Sequence, residues 1–341
     1  MTRLAPSLLN LLLLAALALL FLLSLGIGSV SLTLCEVGHA LFRSSAEAAD
    51  LADVLVQQRI IVNEIRLPRV LLAILVGMSL GTAGAAMQGL LRNPLAEPGL
   101  LGVSSSASLG AVLCLYYGVS ALSPWLVPAS AMGCAALATL VLYAIARQRA
   151  SNLTLILCGV ALSSLAAAAT SLAINLAPNP TDMQDIVLWL MGSLSDRSFA
   201  DIRLCLPFIA AGLLLLFACG PQLDALTLGE DEASSLGVNL PRLRVQIILG
   251  TALCVGASVA VTGSIGFVGL VVPHLLRKAV GYHPSRLLFS SALGGALLLL
   301  AADIVLRLVS GEQELMLGVV TAMIGAPFFL ALVLRQRRGS P

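Results

Sequence analysis

Three arginines and one aspartate stand out in a chain that otherwise avoids charge. Arg66 and Arg69 flank Leu67-Pro68 just ahead of an apolar run, and Arg307 follows Asp303 at an i, i+4 spacing near the end of another. A guanidinium offers a rigid fork of donors that takes a carboxylate bidentately. Arginine at a span end also serves as an interfacial anchor that snorkels to water. Both uses stand open here. The second signature is the run RNPLAEPGLLG, which begins at Arg92 and follows a Gly/Ala-rich apolar stretch. It is too polar to face lipid and is broken by two prolines. A kinked polar backbone at membrane depth is tolerated only where protein or a water-filled cavity covers it. The run therefore reads as the lining of a translocation path.

Other chemistries are weakly supported. A phosphate-binding loop needs GxxxxGK[ST], and the sole lysine, Lys278, is followed by Ala279. Ion-coupled carriers place acids or histidines at the membrane midplane. Asp303 is the main charge inside a span, so the chain is expected to draw its energy from a separate ATPase. His274 follows Pro273 and is expected to be hydrogen-bonded to protein rather than to hold a metal. The seven cysteines include no CxxC and no Cys/His cluster, and most lie in apolar runs where cysteine acts as a small hydrophobe. Neither a disulfide framework, a metal site nor a cofactor is expected. No nucleophile elbow or paired-acid site supports an intramembrane enzyme.

The elements that must carry these residues are membrane spans. The 341 residues are 59% hydrophobic and 11% charged, with a mean hydropathy of +1.01, whereas a soluble domain carries about 25% charged residues. The expected class is an all-α polytopic membrane protein in which residues 1–341 form one transmembrane domain. Ten spans are expected at 7–27, 67–90, 99–118, 125–146, 153–176, 202–220, 245–264, 266–281, 287–306 and 315–334. The eighth is short and Gly-rich and contains Pro273, and Gly263, Gly266 and Gly269 mark a tight break between spans seven and eight. The first run is too long for the apolar part of a signal peptide and is read as an uncleaved span. With both termini cytoplasmic, twelve of the 19 basic residues fall inside, as the positive-inside rule favours.

Outside the spans, residues 28–65 form an external segment. Residues 177–201 hold a short helix at the outer mouth. The inside loop 221–244 carries helix signals: Thr227 and Glu230 at capping-box spacing, Gly237 as a stop and Pro241 as a first position. Two short helices joined by a turn are expected there, as a dock for the ATPase. Arg69 and Arg244 begin similar apolar runs that would cross the membrane in opposite directions, the pattern of an inverted repeat.

These motifs resemble the FecCD-type permease family, the membrane subunits of ABC importers for iron-siderophores, haem and cobalamin. The matching segments are RLPR from Arg66, GAAMQGLLRNPLAEPGLLGVSS from Gly84, LGEDEASSLGV from Leu228, GSIGFVGLVVPHLLR from Gly263, ADIVLR from Ala302 and GVVTAMIGAPFFL from Gly318. The resemblance implies two permease subunits around one path, expected here as a homodimer in the inner membrane of a bacterium. It also implies a cytosolic ATPase dimer, an external substrate-binding protein, contact with membrane lipid and no nucleic-acid partner. By position, Arg66, Arg69 and Arg307 resemble outer arginines that meet acids of the binding protein. Asn93 and Leu95, with Ser151, Asn152 and Leu153, resemble a cytoplasmic gate. Glu230, Asp231, Ala233, Leu236 and Gly237 resemble the ATPase-coupling segment. Ser106 stands where the family often has Gly, Glu314-Leu-Met-Leu-Gly318 lacks a family proline, and Leu153 is apolar at a gate position.

Overall fold

The computed structural model describes residues 6–28, 30–42, 53–123, 125–147, 152–177, 179–309 and 315–338. Among the described residues the fold is helical and contains no strand. In chain order the helices are α1 (Pro6–Gly26), α2 (Leu34–Phe42), α3 (Asp53–Ile60), α4 (Leu67–Leu90), α5 (Val103–Tyr116), α6 (Leu126–Arg147), α7 (Asn152–Asn175) and α8 (Pro180–Met191). There follow α9 (Phe199–Ala218), α10 (Gly220–Leu226), α11 (Glu230–Ser235), α12 (Leu240–Thr262), α13 (Val268–Leu276), α14 (Pro284–Val309) and α15 (Leu317–Arg338).

Each expected span has a helix, and seven are long and apolar enough to cross a membrane. Three fall short of the ~20 residues a crossing needs. They are α5 with 14 residues, α13 with 9, and α15, whose described apolar part is Leu317–Ala331. The eighth span is thus a half-length helix. The reason lies just before it, where Gly263 and Phe267 both take positive φ, 69° and 66°, and a right-handed helix cannot run through that stretch.

The second span differs from its expectation at its start. A π-helical turn, Ile61–Arg66, joins α3 to α4, so helix runs on from Asp53. The Leu67 N–H bonds the Val62 carbonyl five residues back. Pro68 has no N–H to give the preceding turn, and the wider π turn takes up that gap. Pro68 therefore sits within a running helix rather than at its first turn.

Helices α4 and α12 form the centre. They are the most buried of the long spans, each with 78% of its apolar window inside the protein. They cross antiparallel, with Ser79 donating to the Cys254 carbonyl at 2.8 Å and Ser258 to the Ser79 hydroxyl at 3.0 Å. Ser79 lies ten residues after Arg69, and Cys254 ten after Arg244. Twelve after each come Gly81, against α14, and Gly256, against Ala135 of α6. These matched contacts support a repeat whose halves run in opposite directions.

Backbone contact joins α4 to α14 and to α13. A Cβ built on Gly77 would lie 2.4 Å from the Gly295 carbonyl oxygen, one on Gly81 2.2 Å from that of Ser291, and one on Gly84 1.9 Å from that of Gly269. Small residues allow such approach, and dispersion at close contact drives helix association where lipid removes the hydrophobic force. Gly84→Val should destabilise the fold by about 1–3 kcal/mol or more through overpacking. Gly133→Ala, on a face with nothing within 4 Å, should be neutral. Thermal unfolding of both variants in detergent checks this, and equal melting temperatures would show that the α4–α13 contact is not under steric constraint.

Candidate functional site

At one end of the bundle, Asp303 of α14 is fully buried between two arginines. Arg69 donates Nε to Asp303 Oδ1 at 2.9 Å and places Nη2 2.8 Å from the same oxygen. Arg307 Nη2 lies 3.0 Å from Oδ2, which realises the i, i+4 spacing. A buried carboxylate stays charged only when paired and hydrogen-bonded, and here two guanidiniums on two helices supply that. Arg307 also donates Nη1 to the carbonyls of Ser24 at 3.0 Å and Ile27 at 2.9 Å, and Nη2 to the Ser24 hydroxyl. Arg66 donates Nη1 to the carbonyls of Leu25 at 2.7 Å and Gly26 at 2.9 Å, and Nη2 to that of Val30. Gly28 lies against it, for a Cβ there would come within 2.7 Å of Arg66 Nη2.

The three arginines are largely buried rather than free at the surface. Arg66 is 5% exposed, and the side chains of Arg307 and Arg69 are 10% and 16% exposed. The physical reason is the end of α1. Its last carbonyls have no helical N–H donors, and two guanidiniums fill that role. Three guanidiniums gather near one carboxylate, which pairs with Arg69 and Arg307, so the cluster keeps a surplus of positive charge. Beside it, α2 is tied to α3 by Gln58 donating to Glu36 at 2.9 Å, and to the π turn by Asn63 donating to the Ala40 carbonyl. The Thr33 backbone N–H, then its hydroxyl, then the Gln58 amide hold the Glu36 carboxyl below the usual range.

At the opposite end the polar turn folds back into the bundle. Arg92 takes φ 49°, and the Asn93 side chain accepts the Leu95 N–H at 2.9 Å in an Asx turn. Glu97 Oε1 then accepts the N–H of Phe267, the residue that caps α13, at 2.8 Å. Gln88 donates Nε2 to the Gly269 and Leu270 carbonyls at 3.4 Å and accepts from Arg277 Nη2. The following turn rests on α7, where a Cβ on Gly159 would lie 1.9 Å from the Leu100 carbonyl oxygen. The turn thus meets the helix that begins at Asn152 through Leu100 to Gly102, against Gly159 and Leu162. Leu153 is 64% exposed, and Leu157, Leu165 and Leu172 farther along are exposed too, like Met323 and Ile324 of α15. Ser151 lies outside the described residues.

The loop 221–244 differs from its expected form in two ways. Thr227 does not cap α11. Its hydroxyl donates to the Asp224 carbonyl at the end of α10, and Gly229, with φ 136°, occupies the cap. Glu230 pairs with Arg244 of α12, at 2.9 and 3.1 Å to its two oxygens. The helix after Pro241 is the start of α12 itself, since nothing breaks it before Gly263. Gly237 does stop α11: with φ 89°, it lets the Val238 N–H reach the Ala233 carbonyl. Asp231 and Leu236 are exposed, and Leu228 and Leu236 are each 65% exposed on either side of α11, whereas Ala233 is fully buried. His274 stacks edge-on against Phe328, and its Nδ1 is buried without a hydrogen-bond partner among the described residues, contrary to expectation.

Sequence reasoning missed Ser195, whose hydroxyl accepts from Arg69 Nη1 at 3.2 Å, and also Glu97, Gln88 and Asp224, whose Oδ1 accepts the Ser285 N–H at 2.9 Å. The Asn-Pro…Glu-Pro pattern was the available signal for Glu97, because an acid between prolines in an apolar setting needs a donor.

A many-span bundle with a buried ion cluster at one end and a re-entrant polar turn fits a membrane transport subunit. The chain belongs to the FecCD transport family, whose model matches residues 16–335. It is 45% identical to the vitamin B12 import system permease protein BtuC of Vibrio cholerae over 81% of this chain and 83% of that protein. It is 44% identical to the ABC transporter permease protein YvrB of Bacillus subtilis, over 82% and 80%. It is 41% identical to the hemin transport system permease protein HmuU of Yersinia pestis, over 80% and 83%. A solved metal-chelate type ABC transporter in an inward-facing conformation superposes with TM-score 0.84 at 33% identity, covering 97% of this chain and 100% of the other.

Removing the shared acid should be costly. Asp303→Asn leaves two buried guanidiniums without their counter-charge, and breaking such a pair costs roughly 3–5 kcal/mol. Thermal unfolding in detergent measures it. A melting temperature equal to that of the unaltered chain would mean that the arginines are held by carbonyls alone.

Proposed function

We propose that this chain is the permease subunit of a binding-protein-dependent importer that carries an iron-siderophore across the bacterial inner membrane. Two copies form the path, and a cytosolic ATPase dimer drives it. The observation that supports this reading is the re-entrant turn, Asn93 to Gly102, seated on α7, whose exposed apolar face is left uncovered by the chain itself. A second copy would cover that face and close a path between subunits. In this reading the turn at Asn93 and Leu95, with the segment Ser151 to Leu153, narrows the cytoplasmic end. The arginine end faces outward, where its surplus positive charge steers an acidic binding protein. The 221–244 loop faces the cytoplasm. There Asp231, Leu236 and Gly237 meet the ATPase, Glu230 ties the loop to α12, and buried Ala233 seats it.

The names of two relatives favour a second reading of the cargo, haem or cobalamin carried by the same mechanism. An ion-coupled carrier is disfavoured, because Asp303, the main acid inside a span, is engaged by two arginines. With its ATPase and binding protein in proteoliposomes, the complex should take up labelled ferric siderophore only with ATP. Ferric siderophore, haem and cobalamin assayed in parallel assign the cargo. Uphill uptake by the isolated chain on a proton or sodium gradient would overturn the importer reading.

Glu230→Lys with Asp231→Lys should uncouple ATP hydrolysis from uptake, because it reverses charge at the positive end of a short helix. The Arg244 pair is exposed on its Glu230 side, at 42%, and buried on the Arg244 side, at 9%, so thermal unfolding of the double variant separates loss of fold from loss of coupling. Normal coupled uptake by the double variant would move the ATPase contact elsewhere.

A further inference from the structure

Gly133 of α6 has no packing duty in this bundle. Glycine in a helix interior is destabilising relative to alanine. Other helical glycines here repay that by letting a second backbone approach. A Cβ on Gly110, for example, would lie 2.3 Å from the Ser130 carbonyl oxygen. At Gly133 nothing stands within 4 Å, and the residue is exposed on the outside of a membrane span.

The space left by the missing side chain joins two clefts. One, of about 710 Å³, lies between α5 and α6 and is bounded by Leu113, Tyr117, Leu126 and Gly133. The other, of about 470 Å³, lies between α6 and α9 over α12, bounded by Gly133, Leu140, Phe208 and Leu253. The hydroxyls in their α6 walls are turned back on their own helix. Ser130 donates to the Val127 carbonyl at 2.9 Å and Thr139 to the Ala135 carbonyl at 2.6 Å. The walls are thus apolar, and a cleft with no atoms opposite its lining forfeits their dispersion contacts.

The first cleft opens at the arginine end. Helix α5 begins just after the polar turn and runs back toward that end, where Tyr117 and Trp125 are 72% and 48% exposed. Exposed Tyr and Trp at span ends mark the membrane–water interface. From Leu126, the first residue of α6, Gly133 lies about 10 Å down the helix and Leu140 about 21 Å, at 1.5 Å per residue. One leaflet of hydrocarbon is about 15 Å deep, half of the core. The joined clefts therefore run from the interface to the bilayer midplane. Their course is bent: it starts on the α5 side of α6 and finishes on the α9 side. Below the crossing, Leu137 and Leu140 stand out from the same helix, both exposed. A straight helix about 10–12 Å across cannot follow such a course, and it would find no free hydroxyl on these walls to bond. A flexible hydrocarbon chain can.

We propose that the two clefts hold one acyl chain of a phospholipid from the leaflet on the arginine side. The headgroup rests at Tyr117 and Trp125. The chain descends between α5 and α6, crosses α6 at Gly133 and ends on α12 between α6 and α9. It is a bound component that fills space no side chain occupies and ties α6 to α9. Its binding does not depend on which cargo is carried.

The test uses the full-length permease purified in detergent, with native mass spectrometry after delipidating washes. The unaltered chain should retain about one phospholipid, and Gly133→Leu, which puts a side chain across the path, should retain about fivefold less. Leucine is the better helix former, so Gly133→Leu should melt no lower than the unaltered chain in lipid-free detergent. Added phospholipid should then raise the melting temperature of the unaltered chain and leave that of the variant in place. Ala129→Leu, one turn nearer the interface in the first cleft, is a second block that should act alike. A phospholipid with a diazirine at its chain end reads the course directly. It should cross-link to α12 near Leu253 in the unaltered chain, and Gly133→Leu should confine the cross-link to α5 and the first cleft. Cross-linking to α12 that survives in folded Gly133→Leu and Ala129→Leu overturns the proposal, as does an unaltered chain that retains no phospholipid. A polypeptide found cross-linked in the clefts also overturns it, because a partner helix then covers them. Each of these outcomes leaves the importer reading intact.

Discussion

A single buried carboxylate organises one end of this protein. Asp303 is inaccessible to solvent, so its charge survives only through Arg69 on α4 and Arg307 on its own helix. The arginines in turn are placed by what else they hold. Arg307 reaches across to the end of α1, and Arg66 closes over the same chain reversal. Helix α1 is mostly lipid-exposed, with 17% of its window buried. Apart from this carbonyl clasp, it is fixed to α14 by the Ser290 hydroxyl bonded to Asn10 at 2.7 Å. In a medium without a hydrophobic drive between helices, such polar ties and close backbone packing carry the assembly.

The rest of the frame is steric. Between α4 and α14, and between α4 and α13, backbone meets backbone with no side chain interposed. Glu97 and Gln88 then pin the half-length α13 and the re-entrant turn to that frame from the other end. The polar turn is accordingly fixed to the core at Ala96, Pro98 and Leu101, while Arg92 and Asn93 at its start stay exposed.

Much of this was legible in the sequence. Apolar runs bounded by charge and proline gave the spans, and the clustered glycines before Pro273 gave the break that leaves α13 short. The shortfall has physical causes. Arg66 looks like a surface residue because the sequence does not reveal which carbonyls a distant helix end leaves bare. The Arg69–Asp303 pair spans 234 residues, and no local spacing encodes it. Thr227 had the spacing of a cap, but a hydroxyl directly after a helix end bonds the carbonyl behind it before it can serve the helix ahead. Ser195 carried no signal at all, since a serine in a polar loop is expected to be solvated.

The π turn at Ile61–Arg66 makes α3 and α4 one continuous rod. Val56–Leu90 is 35 residues of unbroken helix, or about 50 Å at 1.5 Å per residue, against a hydrocarbon core of about 30 Å. Roughly 20 Å of stiff helix must then stand clear of the hydrocarbon on the Val56 side, braced by α2 through Gln58 and Asn63. That overhang is a lever arm. A load applied at its tip would bear first on the arginine cluster, because Arg66 and Arg69 sit where the rod enters the bundle.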